Sequence, residues 1–217
     1  MKLIKKIYKL SFFLVISDLV YLCIALIPRL ILSFKDLSLV AYYDIGLILY
    51  GLFLLIVNNV TIPLIPMISR INTVKNRDFS FLYKFININY FIGLVFVYSI
   101  VVILFITTKL DYYIIFYVFG DKYVPSINIF RIIIFFLPAQ AYFAIYSGIL
   151  QGLGMTKQLF KSSIYALLIS FLVYIIFMNY GVGGLTFAYG FNILIFTCLL
   201  NYEINKFLKE NISINSN

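Results

Sequence analysis

The chain has 217 residues, 64% of them hydrophobic and 12% charged, where soluble domains carry about 45–50% apolar and about 25% charged residues. Compact folds of this size bury only about 70–75% of their unfolded surface, so this composition excludes an ordinary water-soluble globule and makes lipid part of the solvent. Histidine is absent, which removes Ser-His and Cys-His nucleophile pairs, imidazole metal sites and histidine-ligated haem. No GxxxxGK[ST], GxGxxG or GxSxG motif occurs, and no acidic or Cys cluster has metal-ligand spacing. The chain is therefore expected not to be an enzyme and to carry no cofactor and no metal.

A membrane helix needs about 20 mostly apolar residues to cross roughly 30 Å of hydrocarbon. Between Lys9 and Lys35 only Asp18 and Arg29 interrupt an apolar stretch, which predicts a first span over about 10–33. Residues 45–69, 85–108 and 132–156 are free of charge for 25, 24 and 25 residues; they predict spans over about 40–68, 84–108 and 125–151. The uncharged run 162–202 is 41 residues long and carries the turn signal Asn179-Tyr180-Gly181-Val182-Gly183-Gly184, so it divides into spans over about 158–180 and 183–204. The segment 110–120 is too short to span and is expected to extend the third helix or lie at the interface. These runs are apolar on all sides, which is a helical rather than a barrel pattern. The expected fold is an all-α integral membrane protein, a bundle of six transmembrane helices over 10–205, with a basic stretch at 1–9 and a tail at 206–217.

The net charge of +9 comes from 17 Lys and Arg against 8 Asp and Glu. Alternating the loops puts Lys2, Lys5, Lys6, Lys9, Arg70, Lys75, Arg77, Lys84, Lys157, Lys161, Lys206 and Lys209 on one side. Arg29, Lys35, Lys109, Lys122 and Arg131 fall on the other. This bias places both termini in the cytoplasm of a multi-pass protein of the cell membrane, with anionic membrane lipids as a secondary partner and nucleic acid not expected as one. No cleavage site follows Met1–Lys9, so the first helix is expected to stay. The sequons at Asn59 and Asn211 fall in a span and in the tail, where both are expected to be silent. Cys23 and Cys198 read as small buried hydrophobes. The 19% Phe and Tyr, without Trp, fit lipid-facing surface and interface belts.

A charge at the centre of a spanning helix costs about 2.5–3.5 kcal/mol on insertion scales, so intramembrane charges are candidate functional groups. Asp18 and Arg29, eleven residues apart, lie within about 20° of one face of the first helix; Asp18 is the candidate for ion coupling, with a structural hydrogen bond as the plain alternative. Asp44, Gly51 and Asn58 recur every seven residues on the second helix, with Thr61 a turn beyond, a stripe of the kind that faces other helices. Asp44 matches Arg29 in depth across the first hairpin and is its expected ion partner. Pro63 and Pro66 are expected to bend or break the end of this helix. Arg131 either snorkels to the headgroups or joins Arg29 in lining an outward-facing cavity suited to a phosphate or pyrophosphate. Arg29, Arg131, Asp44 and Asn58 are thus the candidate substrate-cavity residues. Ala144, Gly148 and Gly152 form a small-residue ridge that admits a neighbouring helix.

The second half runs Val118-Phe119-Gly120-Asp121-Lys122-Tyr123-Val124-Pro125-Ser126, a span with Pro138, then Gly148-Ile149-Leu150-Gln151-Gly152-Leu153-Gly154-Met155-Thr156-Lys157, and later Asn179-Tyr180-Gly181-Val182-Gly183-Gly184-Leu185. The first hairpin has Pro28-Arg29-Leu30-Ile31-Leu32-Ser33 and Val40-Ala41-Tyr42-Tyr43. In this order the elements resemble the carboxyl-terminal lobe of the multidrug/oligosaccharidyl-lipid/polysaccharide exporter superfamily, in particular its polysaccharide and O-antigen flippases. Pro28 stands where an acidic residue is common in that family. The resemblance implies one six-helix lobe of a transporter that flips a lipid-linked oligosaccharide or polysaccharide precursor by alternating access. It also implies a second six-helix lobe as partner: a preceding half, a separate chain or a second copy. The alternatives are a drug or metabolite exporter of the same superfamily, or a substrate-binding membrane subunit of an energised complex. Against the last, the first helix lacks a small-xxx-small docking ridge.

Overall fold

The computed structural model describes residues 2–73, 98–100 and 102–215, all helix and turn, with no strand among them. In chain order the helices are α1 (Lys2–Ser33), α2 (Leu37–Thr61), α3 (Leu64–Thr73), α4 (Tyr98–Thr107), α5 (Leu110–Phe119), α6 (Ser126–Ile134), α7 (Leu137–Gly152), α8 (Thr156–Phe177) and α9 (Gly181–Asn215). Most of the expected third span, with Lys75, Arg77 and Lys84, lies outside the described residues.

Among the described residues three stretches are long and apolar enough to cross a membrane: Leu10–Ser33, Leu37–Asn59 and Thr156–Glu210. If each bent pair, α4 with α5 and α6 with α7, counts as one span, the number rises to five. The 55-residue stretch Thr156–Glu210 would be about 80 Å long as one straight helix, and it is not straight. Phe13 meets Phe160, and the Tyr174 hydroxyl donates to the Ile24 carbonyl oxygen, so α8 runs parallel to α1. Tyr21 meets Tyr189, and Lys35 Nζ donates to the Met178 carbonyl oxygen, so α9 runs back against α1. The chain reverses at Gly181, whose φ of +67° is the left-handed conformation expected of the Asn179–Gly184 turn signal.

Two prolines explain two breaks. α2 ends at Thr61 and α3 starts at Leu64, because Pro63 has no N–H to donate and its ring crowds the preceding turn; the break expected at the end of the second helix is present. The expected fourth span, 125–151, is not one straight helix: it bends by 53° between Ile134 and Leu137. Pro138 has no N–H for the Ile134 carbonyl, and the chain instead closes a tight turn from the Phe136 N–H to the Ile133 carbonyl at 2.9 Å. Between α4 and α5 the axis turns by 65° at Lys109, which has φ +56°. The segment 110–120 is therefore neither a straight extension of α4 nor long enough to span.

The turns are closed locally. Asp36 caps α2, its carboxylate accepting from the Ser38 N–H at 2.8 Å. These hydrogen bonds hold its carboxyl below the usual carboxylate range. After α7 the N–H of Met155 reaches the Leu150 carbonyl and that of Gly154 the Gln151 carbonyl, a Schellman closure around Gly154 at φ +73°.

Lipid offers apolar surface as good as a neighbouring helix, so packing rather than hydrophobicity holds such bundles together. A methyl group on Gly46 would lie 2.6 Å from Ile129 Cγ2, so α2 and α6 approach to backbone distance there. One on Gly190 would lie 2.1 Å from the Phe136 ring, which wedges the bend between α6 and α7 against α9. The small-residue ridge of α7 is filled as expected: Gly152 meets the Ile65 carbonyl oxygen and Ile68 of α3. Two expectations fail. A methyl on Gly51 would meet nothing within 4 Å, so among the described residues no helix packs on the middle of the Asp44–Gly51–Asn58 stripe. Cys23 and Cys198 lie on the outside of the bundle, where a thiol facing hydrocarbon needs no partner. The aromatic residues divide: Tyr8, Phe12, Phe34 and Tyr117 are on the surface, whereas Tyr43, Tyr50, Tyr174 and Phe130 are among the largest fully buried side chains.

Candidate functional site

The structure separates the sequence candidates into two groups. Asp18 and Asn58 line a cavity of about 370 Å³ together with Ser17, Tyr21, Gln140, Ser147 and Gln151, a volume within the range of small-molecule sites, about 300–1,000 Å³. Its apolar wall is Leu54, Ile62, Ile65, Phe143, Ala144, Leu159 and Phe196. Five helices, α1, α2, α7, α8 and α9, and a break make it. Asp18 and Tyr21 project from one face of α1, Asn58 from the last turn of α2, and Ile62 and Ile65 from the Pro63 break. Gln140, Ser147 and Gln151 follow at helical spacing on α7. Ser17 points its hydroxyl back to the Phe13 carbonyl at 2.8 Å, and Ser147 does the same to Ala144 at 3.0 Å. Their donors are thus spent within the helix, leaving oxygen acceptors for a ligand.

Asp18 is the one ionisable carboxylate or amine of this lining, and no ion pair or hydrogen bond reaches it among the described residues. The Tyr21 ring stacks on Phe143 at 5.0 Å and 13°, and its hydroxyl lies 3.4 Å from Gln140 Oε1 and from the Tyr189 hydroxyl. The cavity therefore combines one carboxylate, several neutral hydrogen-bonding groups and aromatic faces. Among the described residues no three acidic or Cys side chains gather to hold a metal.

Arg29, Asp44 and Arg131 are elsewhere, near the α1–α2 and α5–α6 turns. Arg29 Nε donates to Asp44 Oδ1 at 2.6 Å, the pair expected across the first hairpin, and the guanidinium lies 6.0 Å from the centre of the Tyr43 ring. Both side chains are partly exposed, 35% and 38%. Arg131 Nε donates to Asp111 Oδ2 at 2.7 Å. The arginine is 40% exposed but Asp111 is fully buried, and its other oxygen accepts from the Tyr112 N–H at 2.9 Å. The turn at Lys109 swings α5 so that this carboxylate faces α6. Neither arginine lines the cavity of Asp18.

Asp111 is the functional-looking charge that sequence reasoning misses. It sits in the 110–120 segment, too short to span, and a carboxylate between two long apolar runs is the signal that marks it. The buried tyrosines escape as well, because hydropathy treats Tyr as a belt residue wherever it occurs. Comparisons with protein-family models, curated proteins and solved structures find no match to this chain.

Proposed function

We propose that the chain is one lobe of a membrane exporter that moves a lipid-linked oligosaccharide or polysaccharide precursor between leaflets by alternating access. The observation that carries this reading is the cavity at Asp18. An apolar bundle that only anchored itself would have no reason to keep a carboxylate, an asparagine and two glutamines in a hollow between its helices, at a cost that intramembrane polar groups carry unless they serve a pathway. Hydroxyl-rich headgroups match Asn58, Gln140, Ser147 and Gln151 as hydrogen-bonding partners, and sugar faces match the Tyr21–Phe143 stack.

In this reading α1, α2 with α3, the expected span over about 84–108, α6 with α7, α8 and α9 make six crossings. The end carrying Arg70, Lys157 and Lys161 lies on the cytoplasmic side together with both termini, in keeping with the excess of Lys and Arg there. Arg29 and Arg131 lie toward the outer end, where each engages its carboxylate through Nε, and a lipid phosphate arriving there meets the remaining guanidinium nitrogens. Asp18 couples a cation. A second six-helix lobe closes the open side of the cavity, and the two lobes rock about it in the cell membrane.

A second reading has a specific observation in its favour. The cavity contains a carboxylate and no Lys or Arg, which suits a cationic drug or metabolite exported by a carrier of the same superfamily. Thermal protection of the purified chain separates the two. A polyprenyl-pyrophosphate-linked oligosaccharide is expected to raise Tm, and lipophilic cations are not. Protection by the cations alone, abolished in Asp18→Asn, would reverse the order.

A further inference from the structure

The turn at Lys109 leaves α5 with two unlike faces. Asp111 and Ile115, one helical turn apart, are both buried, and the ion pair with Arg131 fastens this face to α6. On the opposite side Tyr113 and Tyr117, also one turn apart, are 48% and 77% exposed, and their rings stack at 6.3 Å and 16°. Tyr112 and Phe116 stack beside them at 5.7 Å and 13°. Leu110 and Val118 carry the exposed apolar surface to both ends of the helix. A helix bathed in water has the reverse order, with rings inside and carboxylates outside.

Three observations fix where this face lies. The helix Leu110–Phe119 is turned 65° from α4, and at about 15 Å it is half as long as the hydrocarbon layer is thick. Polar residues are exposed at both of its ends, Thr107, Thr108 and Lys109 before it and Asp121 and Lys122 after it, so neither end can be sunk in hydrocarbon. Tyr123, just beyond it, packs edge-on against Tyr42 in the second turn of α2 at 6.2 Å, which sets the exit of α5 at the level of the α1–α2 turn. The exposed Phe34 lies in that turn, and Lys35 ties it to the α8–α9 turn, where Tyr180 is exposed as well. Three separate elements therefore present rings at one end of the bundle, the distribution of an interfacial aromatic belt.

We propose that α5 lies in the plane of the membrane and docks on the lipid–water interface, with the Tyr113–Tyr117 ladder set among headgroups and upper acyl chains and Lys109 and Lys122 at headgroup level. The chemistry selects a bilayer surface over a protein partner. A tyrosine joins an apolar ring to a polar hydroxyl, the combination favoured where hydrocarbon meets water, and ammonium groups on flexible stems reach the headgroups from either end. The Asp111–Arg131 pair is then the clamp that keeps the ladder turned toward lipid. On the topology proposed above this is the outer leaflet, but the docking itself rests only on α5 and its neighbours.

The chain contains no Trp, so a single Trp reports the depth of its own position. The full chain is reconstituted in phosphatidylcholine vesicles whose acyl chains are brominated either near the headgroup or near the chain ends, and Trp quenching is compared for Leu110→Trp, Tyr117→Trp and, as a hydrocarbon-facing control, Leu22→Trp in the middle of the Leu10–Ser33 stretch. At both α5 positions the shallow bromines are expected to quench about twofold more strongly than the deep ones, as for a helix lying in the interface, and Leu22→Trp is expected to show the opposite preference. Leu110 and Tyr117 are about 10 Å apart along the axis, so an in-plane helix gives them the same ratio. Different ratios, with one position shallow and the other deep, mean that α5 stands upright and overturn the proposal. Quenching by neither lipid, the result of a face covered by protein or immersed in water, overturns it too. If either variant unfolds, Tyr113→Trp takes its place on the same exposed face and must give the same shallow ratio. None of these readouts depends on what the cavity transports, so their failure leaves that reading standing.

Discussion

At the end of the bundle holding the α1–α2 and α5–α6 turns, each arginine is matched to a carboxylate, Arg29 to Asp44 and Arg131 to Asp111. In the cavity, Asp18 faces neutral amides, hydroxyls and rings, with no cation among the lining residues. The two regions use intramembrane charge in opposite ways. Where charges are paired, they tie one helix to the next and fix the hairpins, so their loss is felt as instability. Where a charge is left facing a hollow, it contributes nothing to the fold and remains available to something that enters. A residue's role therefore follows from what faces it, although its cost of insertion is the same in both places.

The sharpest way to break this contrast is Arg131→Ala. It strands a fully buried carboxylate; removing one partner of a fully buried pair costs about 3–5 kcal/mol, an upper bound here because the arginine is itself 40% exposed. Thermal unfolding in detergent is expected to show a larger loss for this change than for any of those that follow, with Asp111→Asn in the same chain restoring part of it. Next comes Gly190→Val, which drives two methyls into the Phe136 ring at the helix bend. Overpacking of this kind costs about 1–3 kcal/mol, and Phe136→Ala is expected to relieve it. Arg29→Ala should cost less, about 1 kcal/mol at most, because both partners of that pair are more than one-third exposed and exposed pairs contribute little. Asp18→Asn sharpens the comparison from the other side: Tm is expected to stay within about 1 °C, the shift of a few tenths of a kcal/mol, while the cation coupling proposed for Asp18 is expected to be lost.

The smallest effect belongs to Asp36 at the cap of α2. Its folded carboxyl titrates below the ordinary value, so its contribution is fully present above the unfolded carboxylate range and fades as the pH falls through the folded value. Asp36→Asn is expected to flatten the acid limb of the stability curve between those limits while leaving neutral pH nearly unchanged.

The helical class and the position of the turns are legible because they depend on runs of apolar residues and on Pro and Gly, which act locally. Gly181 reverses the chain where its turn motif lies, and Pro63 breaks α2 where its missing N–H requires. The Arg29–Asp44 pair is legible for a related reason: two charges at equal depth in one hairpin have few other places to go. The rest requires knowledge of which helices meet. Asp111 pairs with Arg131 only because Lys109 turns the axis, and Gly46 and Gly190 matter only because Ile129 and Phe136 happen to face them. Single glycines without a four-residue repeat carry no such signal. Tyr43 and Tyr50 have the same hydropathy as Tyr8 or Tyr117, and only the packing of α2 between α1, α6 and α7 separates buried hydroxyls from surface ones.

The contacts between α1 and α8 have a further consequence for biosynthesis. Tyr174 grips the Ile24 carbonyl across 150 residues of chain, and Lys35 reaches Met178 across 143. At about 5–20 residues per second of synthesis, α1 waits on the order of ten seconds or more in the bilayer before its main neighbour emerges. Through that interval it must persist on its own apolarity, and the stretch Leu10–Ser33 has the highest mean hydropathy of the candidate spans, 2.5. The first helix is apolar enough to wait for α8 to dock beside it, which makes the interval before α8 arrives the period when a membrane chaperone or degradation machinery has access to the face around Phe13 and Ile24 that α8 later covers.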